Sequence, residues 1–322
     1  MNETIHPRQL CALGFCAFTV PAIFLLPRVG WFWALLTAAV TALVIAAVAL
    51  LRRRCGQGLS EAFVKRPLGK GLLILTLAWQ LLALGYFGRL LCGSYPEGDT
   101  FPLVGLLLLL LASFAAAKGT AVPARVGAIS FFFLIIIYGI VLAFGVPQVR
   151  VQWLAPVTQP QWTLLPLSLA PVCAFYAADR CTDGGKLLRW LLGGIVLAAA
   201  AAAVTAGRLS PAIAAAESFP FYTMTKGISV FGTMERFEAL ISAAMTAGGF
   251  CLLGLLCMAS TRIMGAVHSK LRVVAAPVNF FVGGAAIWVS AWIPETVFAV
   301  GTAIFWGVVP ISALFLVRRK KV

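Results

Sequence analysis

Residues Val122–Val146 read VPARVGAISFFFLIIIYGIVLAFGV and contain a single charged side chain, that of Arg125. About 20 consecutive apolar residues are enough for an α-helix to cross the hydrocarbon core of a bilayer. Only a helix or a closed barrel satisfies its own backbone hydrogen bonds in lipid. The stretch therefore predicts a transmembrane helix.

The composition places the whole chain in the same class. Of its 322 residues, 61% are hydrophobic and 11% are charged, whereas a soluble globular protein has about 25% charged residues. Ten apolar stretches are long enough to span a bilayer, which predicts an all-α integral membrane protein with about ten transmembrane helices, forming one polytopic domain over residues 1–322. The stretches are Leu10–Leu26, Trp31–Leu51, Gly71–Cys92, Phe101–Ala117, Val122–Val146, Trp162–Ala178, Leu187–Ala206, Phe237–Ser260, Val273–Trp292 and Thr296–Val317.

The basic residues set the orientation. If the N-terminus is cytoplasmic, 19 of the 25 Lys and Arg residues fall in inner segments, five fall in outer segments, and Arg89 lies within a span. The positive-inside rule favours this arrangement. It predicts an inner-membrane protein with both termini in the cytoplasm.

The other chemical signals exclude several classes of function. The net charge of +15 is distributed in short clusters between apolar stretches, without interleaved aromatic residues, so no nucleic-acid partner is expected. The eight cysteines form no CxxC pair and are interpreted as packing residues. No phosphate-binding loop, HExxH or GxSxG motif occurs, so we expect no enzyme, metal or cofactor.

The order of the spans indicates an internal repeat. Five spans precede the segment Pro147–Gln161 and five follow it, so two halves, approximately 8–147 and 161–318, would insert with opposite topology. Proline interrupts the first span of each half, at Pro21 in the first and at Pro166 and Pro171 in the second. Inverted halves with broken first and sixth helices are typical of the leucine-transporter fold. Packed membrane helices also tolerate proline, so ordinary kinks remain the alternative.

The longest loops occupy equivalent places in the two halves. Arg52–Lys70 follows the second span on the inner side, and Gly207–Arg236 follows the seventh span on the outer side. Both contain short amphipathic runs, so we expect a surface helix in each.

Residues around the two predicted breaks are the first candidates for a binding site. An unwound turn at Phe18, Thr19 and Pro21 would expose backbone N–H groups, which suit a carboxylate. Phe175 and Tyr176 of the sixth span would face that turn. An apolar pocket with a few polar groups is suited to an amino acid. Ordinary packing of the bundle is the alternative explanation for each of these residues.

Polar residues of the third span give a second group of candidates. Tyr86 and Arg89 are three residues apart and so share a helix face. Arg89 is near the outer end, where its side chain can reach the interface. Gln80 lies deeper and is suited to hydrogen bonding between helices or to lining a cavity.

The start of the eighth span adds a third group. Glu238 belongs to the run MERFEAL, and it is either a favourable first-turn carboxylate or a proton or cation site in an outer vestibule. Ser242 and Thr246 follow at helical spacing on the same face. We include both as candidate substrate-binding residues.

Several stretches together resemble the B subunit of spore germinant receptors, a permease-like family in the amino acid–polyamine–organocation superfamily. HPRQL at the N-terminus is similar to the opening of that family, and FLLP to the end of its first helix. ARVGAISFFFLIIIYGIVLAFGVPQ followed by WLAPV resembles its fifth helix and the motif after it. FYTMTKGISVFGTMERFEAL resembles its outer loop and eighth helix. The chain is shorter than typical members, and CAFYAAD stands where the family tends to have a glycine-containing turn near an acidic residue.

The resemblance implies a leucine-transporter-like fold in the membrane of an endospore former. It implies binding of a small germinant, often an amino acid, in complex with a second membrane subunit and a lipoprotein. Carried over by position, the ligand pocket would use Phe18, Thr19, Tyr86, Tyr176 and Thr246. Two alternatives remain open from the residues: a cation- or proton-coupled amino-acid transporter, and an assembly subunit that binds no ligand.

Overall fold

The computed structural model of the chain describes residues 6–55, 59–64, 67–93, 103–154, 161–177, 184–228 and 237–316. Every regular element in these ranges is helical. The long helices are α1 (Pro7–Phe24), α2 (Trp31–Cys55), α4 (Pro67–Gly93), α5 (Leu103–Lys118), α6 (Ala121–Gly145), α8 (Gly184–Leu209), α11 (Phe237–Val267) and α12 (Ala275–Val289). The short ones are α3 (Leu59–Val64), α7 (Cys173–Ala177), α9 (Pro211–Ala216), α10 (Pro220–Lys226), α13 (Glu295–Thr302) and α14 (Val309–Leu316).

Within the described ranges, eight helical segments are long and apolar enough to cross a membrane. Large apolar side chains cover their outer surfaces: Leu43 is 69% exposed, Ile129 73% and Phe281 70%. Because such side chains are costly in water and favourable in lipid, the outer surface is suited to a bilayer. These features give the chain the architecture of a multi-pass membrane protein.

Helix α1 occupies the centre of the bundle. It contacts α6, α8 and α11, and every residue from Leu10 to Phe24 is buried. The prediction of an unwound turn at Phe18–Pro21 is wrong, because α1 is a continuous α-helix through Pro21. Proline removes one backbone hydrogen bond, and the close packing on three neighbouring helices holds the helical path despite that loss.

The sixth apolar segment is irregular, as its prolines predict. Trp162–Val172 is an 11-residue 3₁₀-helix containing Pro166 and Pro171, and it changes to α-helix at Cys173. The irregularity is a change of helical winding over the length of the segment, not a single unwound turn. The segment packs against α1, α2 and α13.

Three of the described helices lie in the two long loops, and two of them, α3 and α10, differ from the expectation of surface helices. In α3, Leu59 and Phe63 are buried. Helix α10 buries Phe221 and Tyr222, and the ring of Phe221 meets that of Phe24 edge-on at 5.8 Å. The apolar faces of α3 and α10 both pack against the transmembrane helices, so the surface prediction is wrong for the inner loop. In the outer loop, α9 has one buried residue, Ala214, so the surface helix expected in that loop is present.

Helices α4 and α12 approach each other very closely. A Cβ atom added at Gly85 would lie 2.3 Å from the backbone carbon of Ala286. Membrane helices associate through van der Waals packing of small residues, since lipid provides no hydrophobic force between them. Gly85 therefore sets the distance between these two helices.

Candidate functional site

A cavity of about 340 Å³ opens near the ends of α1, α4 and α12, on the side that the charge pattern predicts to be outside. Its lining contains two arginines, one glutamate, one tyrosine and two serines among apolar side chains. We call it the outer cavity. It is lined by Leu25, Arg28, Tyr86, Arg89, Leu90, Leu164, Ser218, Phe219, Ser290, Ala291, Ile293 and Glu295.

The polar residues of the outer cavity lie at or near helix ends. Arg28 lies in the 3₁₀ turn Leu26–Val29 that follows α1. Ser290 begins the 3₁₀ turn after α12, and Glu295 begins α13 directly after Pro294. Because prolines and short turns end the transmembrane helices here, polar side chains gather without being inserted into the apolar middle of a span.

Arg28 is held partly inside the protein. Its Nε atom is enclosed and has no hydrogen-bond partner among the described residues. A buried polar group without a partner costs free energy, and the cost is larger for a charged one. The position therefore favours an anionic group in the outer cavity that can accept a hydrogen bond from this guanidinium.

The Tyr86 side chain forms a fixed part of the cavity wall. Its ring stacks on Phe298, with centroids 3.8 Å apart and an interplanar angle of 14°. It also meets the ring of Phe87 edge-on at 5.6 Å. The tyrosine ring is thus positioned by packing at the wall of the cavity.

The outer cavity brings together charges of both signs. Arg28 and Arg89 provide guanidinium groups suited to a carboxylate, and Glu295 provides a carboxylate suited to an ammonium group. Pockets for small molecules typically enclose about 300–1,000 Å³ and have a mainly apolar lining with a few polar groups. The cavity has the size and chemistry for a small zwitterion.

No metal centre accompanies it in the part of the chain that the structure describes, where no group of three or more His, Cys, Asp or Glu residues could hold an ion.

Below the cavity, Gln80 forms a buried hydrogen-bonded junction between four segments. Its Oε1 accepts from Trp306 Nε1 at 3.0 Å, and its Nε2 donates to the Leu256 carbonyl oxygen at 3.3 Å. Its Nε2 also lies 3.5 Å from Cys173 Sγ. Trp306 lies in the π-helical segment Ala303–Val308, and π-helical turns are frequent at functional sites. Of the two roles predicted for Gln80, hydrogen bonding between helices is confirmed.

The candidate residues of the first span lie in the packed interior. The Phe18 ring faces α8, where a Cβ atom added at Gly194 would lie 3.0 Å from it. The Thr19 hydroxyl donates to the Cys16 carbonyl oxygen of its own helix at 2.9 Å. Pro21 is buried within α1. Their assignment to a ligand pocket stays a prediction.

The candidates of the sixth span lie toward the opposite end of the bundle. Phe175 and Tyr176 are buried in α7, and the Tyr176 ring stacks on Phe63 of α3 at 6.5 Å. Among the described residues that the sequence selects as a ligand site, Tyr86 is the one that lines the outer cavity. The structure therefore separates Tyr86 from Tyr176.

The candidates of the eighth span lie on α11. Thr246 donates its hydroxyl to the Ser242 carbonyl oxygen at 2.8 Å, and both residues are half-buried. Glu238 falls in the first turn of α11, but its side chain lies outside the described residues. Its assignment as an ion or proton site stays a prediction.

Sequence reasoning missed Arg28, Ser218, Ser290 and Glu295 as members of one site. A usable signal exists, because Arg28 is an exception to the concentration of positive charge on the inner side. Glu295 is the acidic residue between the ninth and tenth spans, so it was also available as a marker. What the sequence does not give is the proximity of these chain segments.

Comparison of the chain with models of known protein families finds no match, and comparison with curated proteins finds none either.

Proposed function

We propose that this chain is a permease-like membrane protein that binds a small zwitterionic solute, an amino acid, at the outer cavity. The observation that carries the proposal is the presence of Arg28, Arg89 and Glu295 around one cavity of about 340 Å³. An α-amino acid presents a carboxylate and an ammonium group a short distance apart. Charges of both signs in one cavity match that pattern, and the apolar part of the lining is suited to a side chain.

The length of the segments supports ten crossings. Besides the eight long segments, Leu103–Lys118 and Trp162–Ala177 are apolar but shorter. A 3₁₀-helix rises about 2.0 Å per residue against about 1.5 Å for an α-helix. With its 11 residues of 3₁₀-helix and five of α-helix, the sixth segment extends roughly 30 Å, about the thickness of the hydrocarbon core. The winding thus makes a short segment long enough to cross.

The packing of the helices supports the inverted repeat. If the first span corresponds to the sixth, the second to the seventh and so on, each contact between two spans should have a counterpart between the two corresponding spans. The third span packs on the ninth (α4 on α12), and the eighth packs on the fourth (α11 on α5). Likewise α1 packs on α6, while the sixth segment packs on α13. The loop helices follow the same rule: α3 of the first half contacts α7 of the sixth span, and α10 of the second half contacts α1 of the first span.

The role in spore germination, with a second membrane subunit and a lipoprotein as partners, follows from the family resemblance. In this role the outer cavity is where the germinant first contacts the receptor. A coupled amino-acid transporter is the alternative reading of the same architecture. The presence of genes for the two partner subunits beside this one would support the receptor.

The proposal is tested by binding of radiolabelled amino acids to the full chain in lipid nanodiscs. We expect Arg28→Gln and Glu295→Gln each to weaken binding of the best amino acid at least tenfold. Arg150→Gln is the matched control for Arg28→Gln, because it removes the same charge from an exposed position that does not line the cavity. Equal affinity in all three variants would refute the outer cavity as the binding site.

Further experiments separate the alternative functions. Loss of germination in Arg28→Gln and Glu295→Gln after normal insertion, with Arg150→Gln unaffected, argues against a pure assembly subunit. Uptake of the bound amino acid by reconstituted vesicles, abolished by an uncoupler, identifies a coupled transporter. Binding without uptake favours a sensor.

A further inference from the structure

A second cavity lies at the opposite end of the molecule, between the end of α5, the start of α6 and the turn that joins α11 to α12. It encloses about 60 Å³, which leaves room for one small group and not for a whole solute. We call it the inner cavity. It is lined by Ala116, Ala117, Gly119, Thr120, Met258, Thr261, Arg262 and Arg272.

The packing brings the two arginines of the inner cavity together. Arg262 projects from α11, and Gly265 follows one turn later on the same face. The side-chain stem of Arg272 lies over Gly265, since a Cβ atom added there would meet its Cδ at 3.5 Å and its Cβ at 3.6 Å. The stem of the second arginine thus lies along the helix that carries the first.

The remaining polar lining also suits an anion. Thr120 precedes α6, and its side chain makes no hydrogen bond to that helix. Gly119 has φ of 123°, a backbone conformation that favours glycine, and it turns the chain sharply between α5 and α6. The Thr261 hydroxyl accepts a hydrogen bond from Asn279 Nδ2 at 3.3 Å, so its own proton remains to be donated. Two guanidinium groups and two hydroxyls therefore surround a space the size of one small group.

The surroundings of the inner cavity point to lipid. Val273 directly follows Arg272 and is 84% exposed, and Phe114 of α5 is 60% exposed. The charge pattern places this rim on the cytoplasmic side, where basic pockets between transmembrane helices bind anionic head groups. We propose that the inner cavity binds the phosphate of an anionic phospholipid, whose acyl chains lie against the exposed apolar residues beside it.

The test measures lipid binding to the full chain by native mass spectrometry from neutral detergent. Phosphatidylglycerol is titrated into the wild type and into the double variant Arg262→Gln/Arg272→Gln. We expect the variant to bind the most tightly held phosphatidylglycerol at least tenfold more weakly. The double variant Lys118→Gln/Lys270→Gln is the control, because it removes the same charge from exposed positions on the same side that do not line the cavity.

Parallel titrations separate the sources of phosphate and the effects of charge alone. Phosphatidylcholine should bind the wild type much more weakly, and millimolar inorganic phosphate should displace little of the bound phosphatidylglycerol. Equal loss of affinity in the two double variants would overturn the proposal, because the effect would then be general electrostatics. Displacement of the lipid by millimolar phosphate would overturn the assignment to a phospholipid. Gly265→Ala, which the space at this position accommodates, should bind as the wild type does.

Discussion

The close contact of α4 with α12 makes Gly85→Ala a sharp test of the packing. The new methyl group would lie 2.3 Å from the backbone carbon of Ala286, 2.4 Å from its Cβ and 2.6 Å from its oxygen. Carbon atoms pack comfortably at about 3.5–4.0 Å. The helices must therefore separate by roughly 1 Å or more at the crossing, which forfeits contacts over several neighbouring residues.

The expected magnitude follows from two opposing effects. Overpacking a well-packed interface typically costs about 1–3 kcal/mol. Replacing glycine by alanine within a helix returns up to about 1 kcal/mol. Gly71→Ala in the same helix isolates the second effect, because nothing lies within 4 Å of a Cβ atom at Gly71. We expect Gly85→Ala to be less stable than Gly71→Ala by about 2 kcal/mol, which is roughly a 30-fold difference in the unfolding equilibrium.

The comparison is made by reversible unfolding of both variants in the same detergent or nanodisc, with insertion checked by size-exclusion chromatography. Equal stability of Gly85→Ala and Gly71→Ala would refute the close approach of α4 and α12. A gain in stability in Gly71→Ala alone would support it.

Three further outcomes are expected. Gln80→Leu and Trp306→Phe should each lower the unfolding free energy by about 1 kcal/mol. A double-mutant cycle of the two should give a coupling energy of about 0.5–1.5 kcal/mol. Zero coupling would contradict the hydrogen bond between these side chains. Asn279→Leu should lower the unfolding free energy by about 1–2 kcal/mol, because it removes the oxygen that accepts from the Ser260 hydroxyl and the Nδ2 group that donates to the Cys257 carbonyl oxygen. An unchanged stability would count against these buried contacts. In a cysteine-free chain, Ile213→Cys should react with a membrane-impermeant maleimide on intact cells, whereas Ser269→Cys should react only after lysis. The reason is that these two exposed positions lie on opposite sides of the membrane in the predicted orientation. The reverse labelling would overturn that orientation.

Much of the helical architecture was predictable because lipid imposes a simple rule on sequence. Continuous apolar runs such as Val122–Val146 correspond closely to observed helices, here Ala121–Gly145. The prolines of the sixth span also signalled irregular structure. The path of α1 through Pro21 was not predictable, since it depends on packing by three other helices.

The candidate site was only partly predictable for a similar reason. Tyr86 was selected from its place on the third span, and it does line a cavity. Its partners Arg28 and Glu295 are separated by more than 200 residues in the chain, and no periodicity links them. Their proximity arises from the way α1, α4 and α12 end at one level of the bundle.

The 3₁₀ winding of the sixth segment makes it longer than an α-helix of the same residues would be. Its 11 residues, Trp162–Val172, rise about 2.0 Å each, and the same residues wound as an α-helix would rise about 1.5 Å each. Complete rewinding would shorten the segment by about 5 Å, close to the pitch of one α-helical turn. Because a 3₁₀-helix has 3.0 residues per turn and an α-helix 3.6, the same rewinding would also turn Tyr176 about the axis of the segment and take its ring off Phe63.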